Sequence, residues 1–200
     1  MPILGITGGI ASGKSTFRNL LSQRVQAEFF DADACVGELL EEDESVRQQV
    51  LEKIHPAAYG AEGKPNRALL REIIYHDAGK KGTLEAILHP IVRECWLRKA
   101  GEAAHAKTNF VADIPLLFET HAESHFDRII TVGCATETQL VRLGARAGMT
   151  REISKRIIAS QMPIDIKISK SHHVIWNDGA FDALADQTEL FSRYLHDRYG

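Results

Sequence analysis

The chain has 200 residues, 44% hydrophobic and 26% charged, with a formal net charge of −3. This is an ordinary globular balance at a length that fits one domain with inserted helices. It excludes a global basic field for nucleic acid, so any anion site must be local. Cys35, Cys95 and Cys134 lie far apart with no C-x-x-C, which argues against a disulfide framework or a zinc site and fits a reducing cytoplasm. No apolar run approaches the ~18 residues of a membrane span. No basic stretch followed by a long apolar segment opens the chain, so a signal peptide is not expected. The sequence sets no oligomeric state.

"ILGIT" is short, apolar and β-branched and reads as a buried strand. "GITGGIASGKST" runs out of it, and within this stretch Gly8 to Ser15 fit G-x-x-x-x-G-K-[ST]. "STFRNLLSQR" reads as a helix, with Phe17, Leu20, Leu21 and Arg24 at helical spacing. "VQAEFFDAD" reads as a second strand that ends in acids. "CVGELLEEDESVRQQVLEKI", "NRALLREIIYH" and "GTLEAILHPIVRECWLRKAGEAAHA" are helical patterns broken by Gly60, Gly63, Pro65 and Gly79, so residues 34–107 form a largely helical insertion. "NFVADIPLLFE" returns to a strand and "RIITVGC" makes a fourth. Thr136 starts a helix, with Gln139 completing a capping box. Another helix starts at Thr150. "HHVIWND" is a fifth strand, and "FDALADQTELFSRYLHDR" closes the chain as an amphipathic helix.

Strands alternating with helices imply an α/β fold with a parallel sheet covered on both faces. Ligands in such sheets bind at the carboxyl ends of the strands. The glycine loop, Asp31 and Asp33, Asp113, and Asn177-Asp178 all follow strands, and this reading puts them on one edge.

The loop has the parts a phosphate chain needs. Gly8 and Gly13 permit conformations that a β-carbon resists. The helix starting near Lys14 adds free N–H groups and its dipole. Lys14 supplies a charge for the β- and γ-phosphates, and Ser15 a hydroxyl for Mg²⁺.

The pair Asp31 and Asp33 reads as a base, a metal ligand or a helix cap. In extended chain, residues two apart face the same side. One carboxylate would then take a hydroxyl proton while the other holds a magnesium water. Arg142 and Arg146 are four apart and share a helix face, and Arg151 and Arg156 follow. They read either as a solvated face or as a lid that closes arginines over the phosphates. His121 with His125, and His172 with His173, have neither H-E-x-x-H spacing nor a cysteine partner, so they read as core or surface histidines.

The motifs "GITGGIASGKST", "FFDADA", "LEAILHPIV", "DIPLLFE", "TQLVRLGAR", "ASQMP" with Lys167, and "VIWNDG" occur in that order. In this the whole chain resembles the bacterial dephospho-coenzyme A kinases. The resemblance implies a P-loop kinase fold with strand order 2-3-1-4-5, flanking helices, a helical substrate domain and a lid near residues 140–165. The core would comprise roughly residues 1–33, 108–139 and 171–200. The implied reaction moves the ATP γ-phosphate to the ribose 3′-hydroxyl of dephospho-coenzyme A, with Mg²⁺. It implies Lys14, Asp33 and Arg142 as catalytic, with Asp33 the base. Gly8, Gly9, Ala11, Ser12, Gly13, Lys14, Ser15, Thr16 and Arg142 would hold ATP, with Asn177 and Gly179 near its adenine. Asp33, His89 and Leu116 would meet the acceptor, and Ser15 and Asp31 the magnesium. Ala11 stands where the loop commonly has glycine, which a methyl group tolerates if φ is not positive. Gly37 and His172-His173 also depart from the family pattern.

Another small-molecule or nucleotide kinase on the same core is the alternative. A GTP switch is disfavoured by the lack of N-K-x-D, and an ATPase motor by "NFVAD" running into Ile114-Pro115.

Overall fold

The computed structural model describes residues 1–146 and 148–199. Ala147, inside the segment assigned to a lid, and Gly200 lie outside the described residues. Strands β1 (Ile3–Gly8), β2 (Ala27–Asp31), β3 (Asn109–Asp113), β4 (Arg128–Gly133) and β5 (His173–Trp176) form one sheet in the order β2-β3-β1-β4-β5. The helices are α1 (Lys14–Ser22), α2 (Ala32–Glu42), α3 (Glu44–Lys53), α4 (Arg67–His76), α5 (Ala78–His105), α6 (Thr136–Gly144), α7 (Arg151–Ala159), α8 (Ile164–Ser169) and α9 (Phe181–Tyr199). The sheet is parallel, β1 pairing with β3 and β4, and β4 with β5. The order 2-3-1-4-5 is the one the family resemblance implies.

The chain divides into two compact units. One is Met1–Phe30 with the chain from Lys99 onward; the other is Asp31–Arg98. In the first, the central strand β1 is buried along five of its six residues, as a continuous apolar run on a two-sided sheet requires. Leu4 and Ile6 of β1 share a core with Phe17 and Leu21 of α1 and with Leu184 and Phe191 of α9. The Phe17 and Phe191 rings lie 6.0 Å apart. Emptying such a site by Phe17→Ala costs about 3–5 kcal/mol. Register sets the edge that carries the loop: Ile6 pairs with Asp113, and Gly8 with Val132.

The second unit packs α2, α3, α4 and the start of α5 around Val46, Val50, Leu70 and Leu88. The pattern that reads as one helix from Cys35 is split at Asp43, whose carboxylate accepts the Val46 N–H at 2.9 Å and caps α3. Gly60 and Gly63 lie in the loop between α3 and α4, where Tyr59 bridges Pro65. Gly79 does not break a helix; it lies in the first turn of α5, ahead of the interior Pro90.

Local readings are corrected elsewhere. Helix α1 ends at Ser22, so Arg24 lies beyond it and instead donates to the Leu20 carbonyl at 2.8 Å. Strand β3 stops at Asp113, and "IPLLFE" forms turns. Arg142 and Arg146 do not share a helix face, because α6 ends at Gly144.

Candidate functional site

Helix α1 begins at Lys14, directly behind the loop. Gly13 caps it at φ 88, a left-handed conformation. A β-carbon there would also lie 2.0 Å from Asn177 Nδ2, so position 13 admits only glycine. Ala11, too, is left-handed, at φ 57. The condition under which a methyl group is tolerated there, a φ that is not positive, is not met.

Three consecutive loop carbonyls are held by side chains. Gln139 Nε2 donates to Ile10 O at 2.7 Å, Arg142 Nη1 to Ala11 O at 3.2 Å, and Asn177 Nδ2 to Ser12 O at 2.8 Å. Arg142 Nη2 also donates to the Asn177 carbonyl at 2.9 Å, closing the network. With these acceptors taken up by the protein, the loop has N–H donors to offer an anion. The capping-box reading of Gln139 is therefore wrong: Ala135 is the N-cap of α6, no side chain caps it there, and Gln139 turns to the loop. The Ala135 N–H goes to the Asp178 carboxylate at 2.9 Å. The Thr138 hydroxyl, with that N–H, holds Asp178 below the usual carboxylate range. Burial pushes the neighbouring Cys134 thiol up.

Lys14 Nζ donates to Asp113, and Arg18 Nη1 stands 3.7 Å from the other Asp113 oxygen. Ser15 is exposed and Thr16 half-buried in the first turn of α1; the Ser12 hydroxyl is buried, with no hydrogen-bond partner among the described residues. Leu116 is half-buried in the turn after β3, where its carbonyl accepts the Thr120 hydroxyl at 2.8 Å. Gly179 is exposed between β5 and α9.

Sequence reasoning singles out Lys167 only by its place in a motif. It is fully buried and donates to the Pro115 carbonyl and the Glu119 carboxylate, each at 2.9 Å. Thr7 donates to the same Pro115 carbonyl at 3.0 Å. Burial holds the Lys167 pKa below the ordinary lysine value, against the pull of Glu119. Gln161, which sequence reasoning missed, accepts the Ile10 N–H at 2.8 Å.

Asp31, Asp33 and His89 belong to the second unit. Asp31 ends β2 and is the N-cap of α2; its Oδ1 accepts the N–H groups of Asp33 and Ala34 at 2.9 and 3.1 Å. Asp33 is exposed in the first helical turn, so the two acids are not on one face of an extended chain. His89 is half-buried on α5, and burial lowers its pKa. His172 Nδ1 accepts the Ile129 N–H at 3.0 Å, and the His173 ring lies 4.6 Å from that of Tyr194. Among the described residues no helix is long and apolar enough to cross a membrane.

A parallel 2-3-1-4-5 sheet whose central strand feeds a G-K-S loop into a helix is the core of a P-loop kinase. The family described as dephospho-CoA kinase matches residues 2–183. The dephospho-CoA kinase of Symbiobacterium thermophilum is 35% identical over 190 residues, covering 94% of this chain and 79% of that protein. A solved structure from Thermus thermophilus matches at TM-score 0.77 and 29% identity, over 100% of this chain and 98% of the other. The dephospho-CoA kinase structure from Campylobacter jejuni matches in fold at TM-score 0.67 and 22% identity, over 97% of each chain. The chain belongs to the dephospho-CoA kinase family. As a kinase of that family it takes its phosphate from ATP.

Proposed function

We infer that this protein transfers the γ-phosphate of ATP to the ribose 3′-hydroxyl of dephospho-coenzyme A, the last step of coenzyme A synthesis. The observation that carries the reading is the family match over residues 2–183, on a chain whose loop is braced as a phosphate cradle.

In this reading Gly8, Gly9, Ala11, Ser12, Gly13, Lys14, Ser15 and Thr16 bind the ATP phosphates, with loop and helix N–H groups as the donors. Lys14 offsets charge on the transferred group. Arg142, already on the loop carbonyl of Ala11, adds charge at the phosphates. The Asn177 side chain is engaged by Ser12, so it positions the loop, and the backbone at Gly179 is offered to the adenine. Asp33 orients the acceptor hydroxyl and takes its proton. His89 and Leu116 contact the acceptor.

Mg²⁺ is part of the proposal. Ser15, an exposed residue on the first turn of α1, suits it as a hydroxyl ligand. Asp31 spends Oδ1 on two N–H groups, which suits a contact through water better than direct ligation. The ion would neutralise phosphate charge.

Residues 34–107 are proposed as the acceptor domain and residues 140–165 as the lid. The dispersed cysteines fit a cytoplasmic location. The test is a comparison of kcat/KM for dephospho-coenzyme A, adenosine, AMP and shikimate. Dephospho-coenzyme A should win, because contacts remote from the hydroxyl can contribute to turnover as well as to binding. If AMP or shikimate matches it, only the P-loop kinase core of the reading stands.

A further inference from the structure

The nucleotide loop holds a residue in a conformation it disfavours. Ala11 sits at φ 57, where a β-carbon carries a population penalty of roughly five- to thirtyfold. The residue just before it shows what keeps it there. Ile10 is gripped on both polar groups: its N–H donates to Gln161 Oε1 at 2.8 Å, and its carbonyl accepts from Gln139 Nε2 at 2.7 Å. A backbone N–H can only donate and a carbonyl only accept, so each amide has one orientation that works. The approach of Gln139 needs room, because a β-carbon on residue 9 would lie 2.5 Å from its Nε2; residue 9 is glycine.

The two glutamines come from different elements, Gln139 from α6 and Gln161 from the turn after α7. The Gln161 side is itself anchored. The Met162 N–H donates to Glu119 Oε1 at 2.9 Å, and Lys167 holds the same carboxylate at 2.9 Å.

We propose that Gln161 and Gln139 are positioning residues that clamp the two peptide groups flanking Ile10, Gly9–Ile10 and Ile10–Ala11, and so keep Ala11 in its left-handed conformation for nucleotide binding. They act through the loop, and the proposal rests on its reading as the ATP site. Without the clamp, Ala11 relaxes to negative φ in a share of molecules. Apparent affinity then falls by the fraction that remains competent. Glycine populates both signs of φ about equally, so a glycine at position 11 removes the need for the clamp.

A double-mutant cycle tests this. Binding of adenylyl imidodiphosphate with Mg²⁺ is measured by calorimetry for the wild type, Gln161→Met, Ala11→Gly and the double variant. Gln161→Met should weaken binding about fivefold or more beside Ala11, and less than about twofold beside glycine. Gln161→Ala is run in parallel, so that poor folding of one variant leaves the cycle readable. Equal losses in both backgrounds would assign Gln161 a general structural role and overturn the proposal alone. A wild type that binds no nucleotide would overturn the ATP reading, and the proposal with it.

Discussion

Lys14 on the loop and Asp113 at the end of β3 form a nearly buried ion pair, with side chains 11% and 2% exposed. A carboxylate buried to that degree is costly without a cation. The pair therefore holds Lys14 over the strand ends before a nucleotide arrives. A triphosphate competes with Asp113 for the ammonium group. Arg18, 3.7 Å from the second Asp113 oxygen, remains to balance that carboxylate when Lys14 turns away.

Lys14→Ala separates these two duties. Transfer should fall by roughly 10²-fold or more, since the charge acts on the transition state. The fold should survive on Arg18, with a melting temperature lowered by about 2–4 °C for each kcal/mol lost. Circular dichroism melts and turnover on one preparation read both. A folded variant with near-native turnover would remove Lys14 from the chemistry.

Lys167 makes a pH prediction. Its pKa is lowered by burial, while the unfolded chain keeps the ordinary value of about 10.4. Between the two values the unfolded chain binds more protons, so this group makes stability rise with pH in that window. Lys167→Met loses the effect and leaves Glu119 without its lysine, at a cost of about 3–5 kcal/mol. Thermal melts across the alkaline range should show the gap between wild type and Lys167→Met widening with pH. A gap that stays constant up to about pH 10 would place the lysine near its ordinary value.

His89 carries the opposite end of the scale. Burial lowers its pKa, Glu85 opposes the shift, and Arg93 and Lys81 add to it. Its contribution to stability is complete above about pH 6.5 and is lost as pH falls through the lowered value. The imidazole resonances should titrate with a midpoint below 6.5, and His89→Gln should blunt the acid loss of stability. A midpoint above 6.5 would show that a negative charge, not burial, governs this site.

The loop and the alternation of strands and helices were legible because each is a local pattern. Gly8 to Ser15 announce themselves by spacing, and α9 by its apolar face. The pairing of Lys14 with Asp113 was not, because only the parallel register of β1 and β3 joins residues 99 apart. Gln139 misled for a related reason: T-x-x-Q has capping-box spacing, but long-range hydrogen bonding to Ile10 wins over the local option. The left-handed Ala11 shows in sequence only through the glycine common at that place in the loop, since a methyl group gives no signal of the backbone beneath it.

Asp31 and Asp33 divide in a way that makes the last prediction sharper. Asp31 caps α2 with Oδ1, and Asp33 sits exposed in the first turn it caps. Asparagine caps a helix about as well as aspartate. Asp31→Asn therefore removes charge with little change in fold, while Asp31→Ala also removes the cap, at about 1 kcal/mol. A ribose hydroxyl is a weak acid whose proton leaves late, as charge develops on the attacking oxygen. A carboxylate held against that hydroxyl can take it then, and positioning outweighs basicity. Asp33→Asn should lower kcat by roughly 10²- to 10⁴-fold with ATP affinity nearly unchanged. Asp31→Asn should cost less and respond more to magnesium, whereas a loss confined to Asp31→Ala would mark the residue as a cap alone. The measurement is kcat for the three variants across a magnesium titration, with ATP binding and melting temperature taken separately. Wild-type kcat in Asp33→Asn beside a dead Asp31→Asn would exchange their roles. Full activity in both would leave Asp31 as a helix cap alone and Asp33 with no part in the chemistry, and the proton acceptor would have to come from elsewhere.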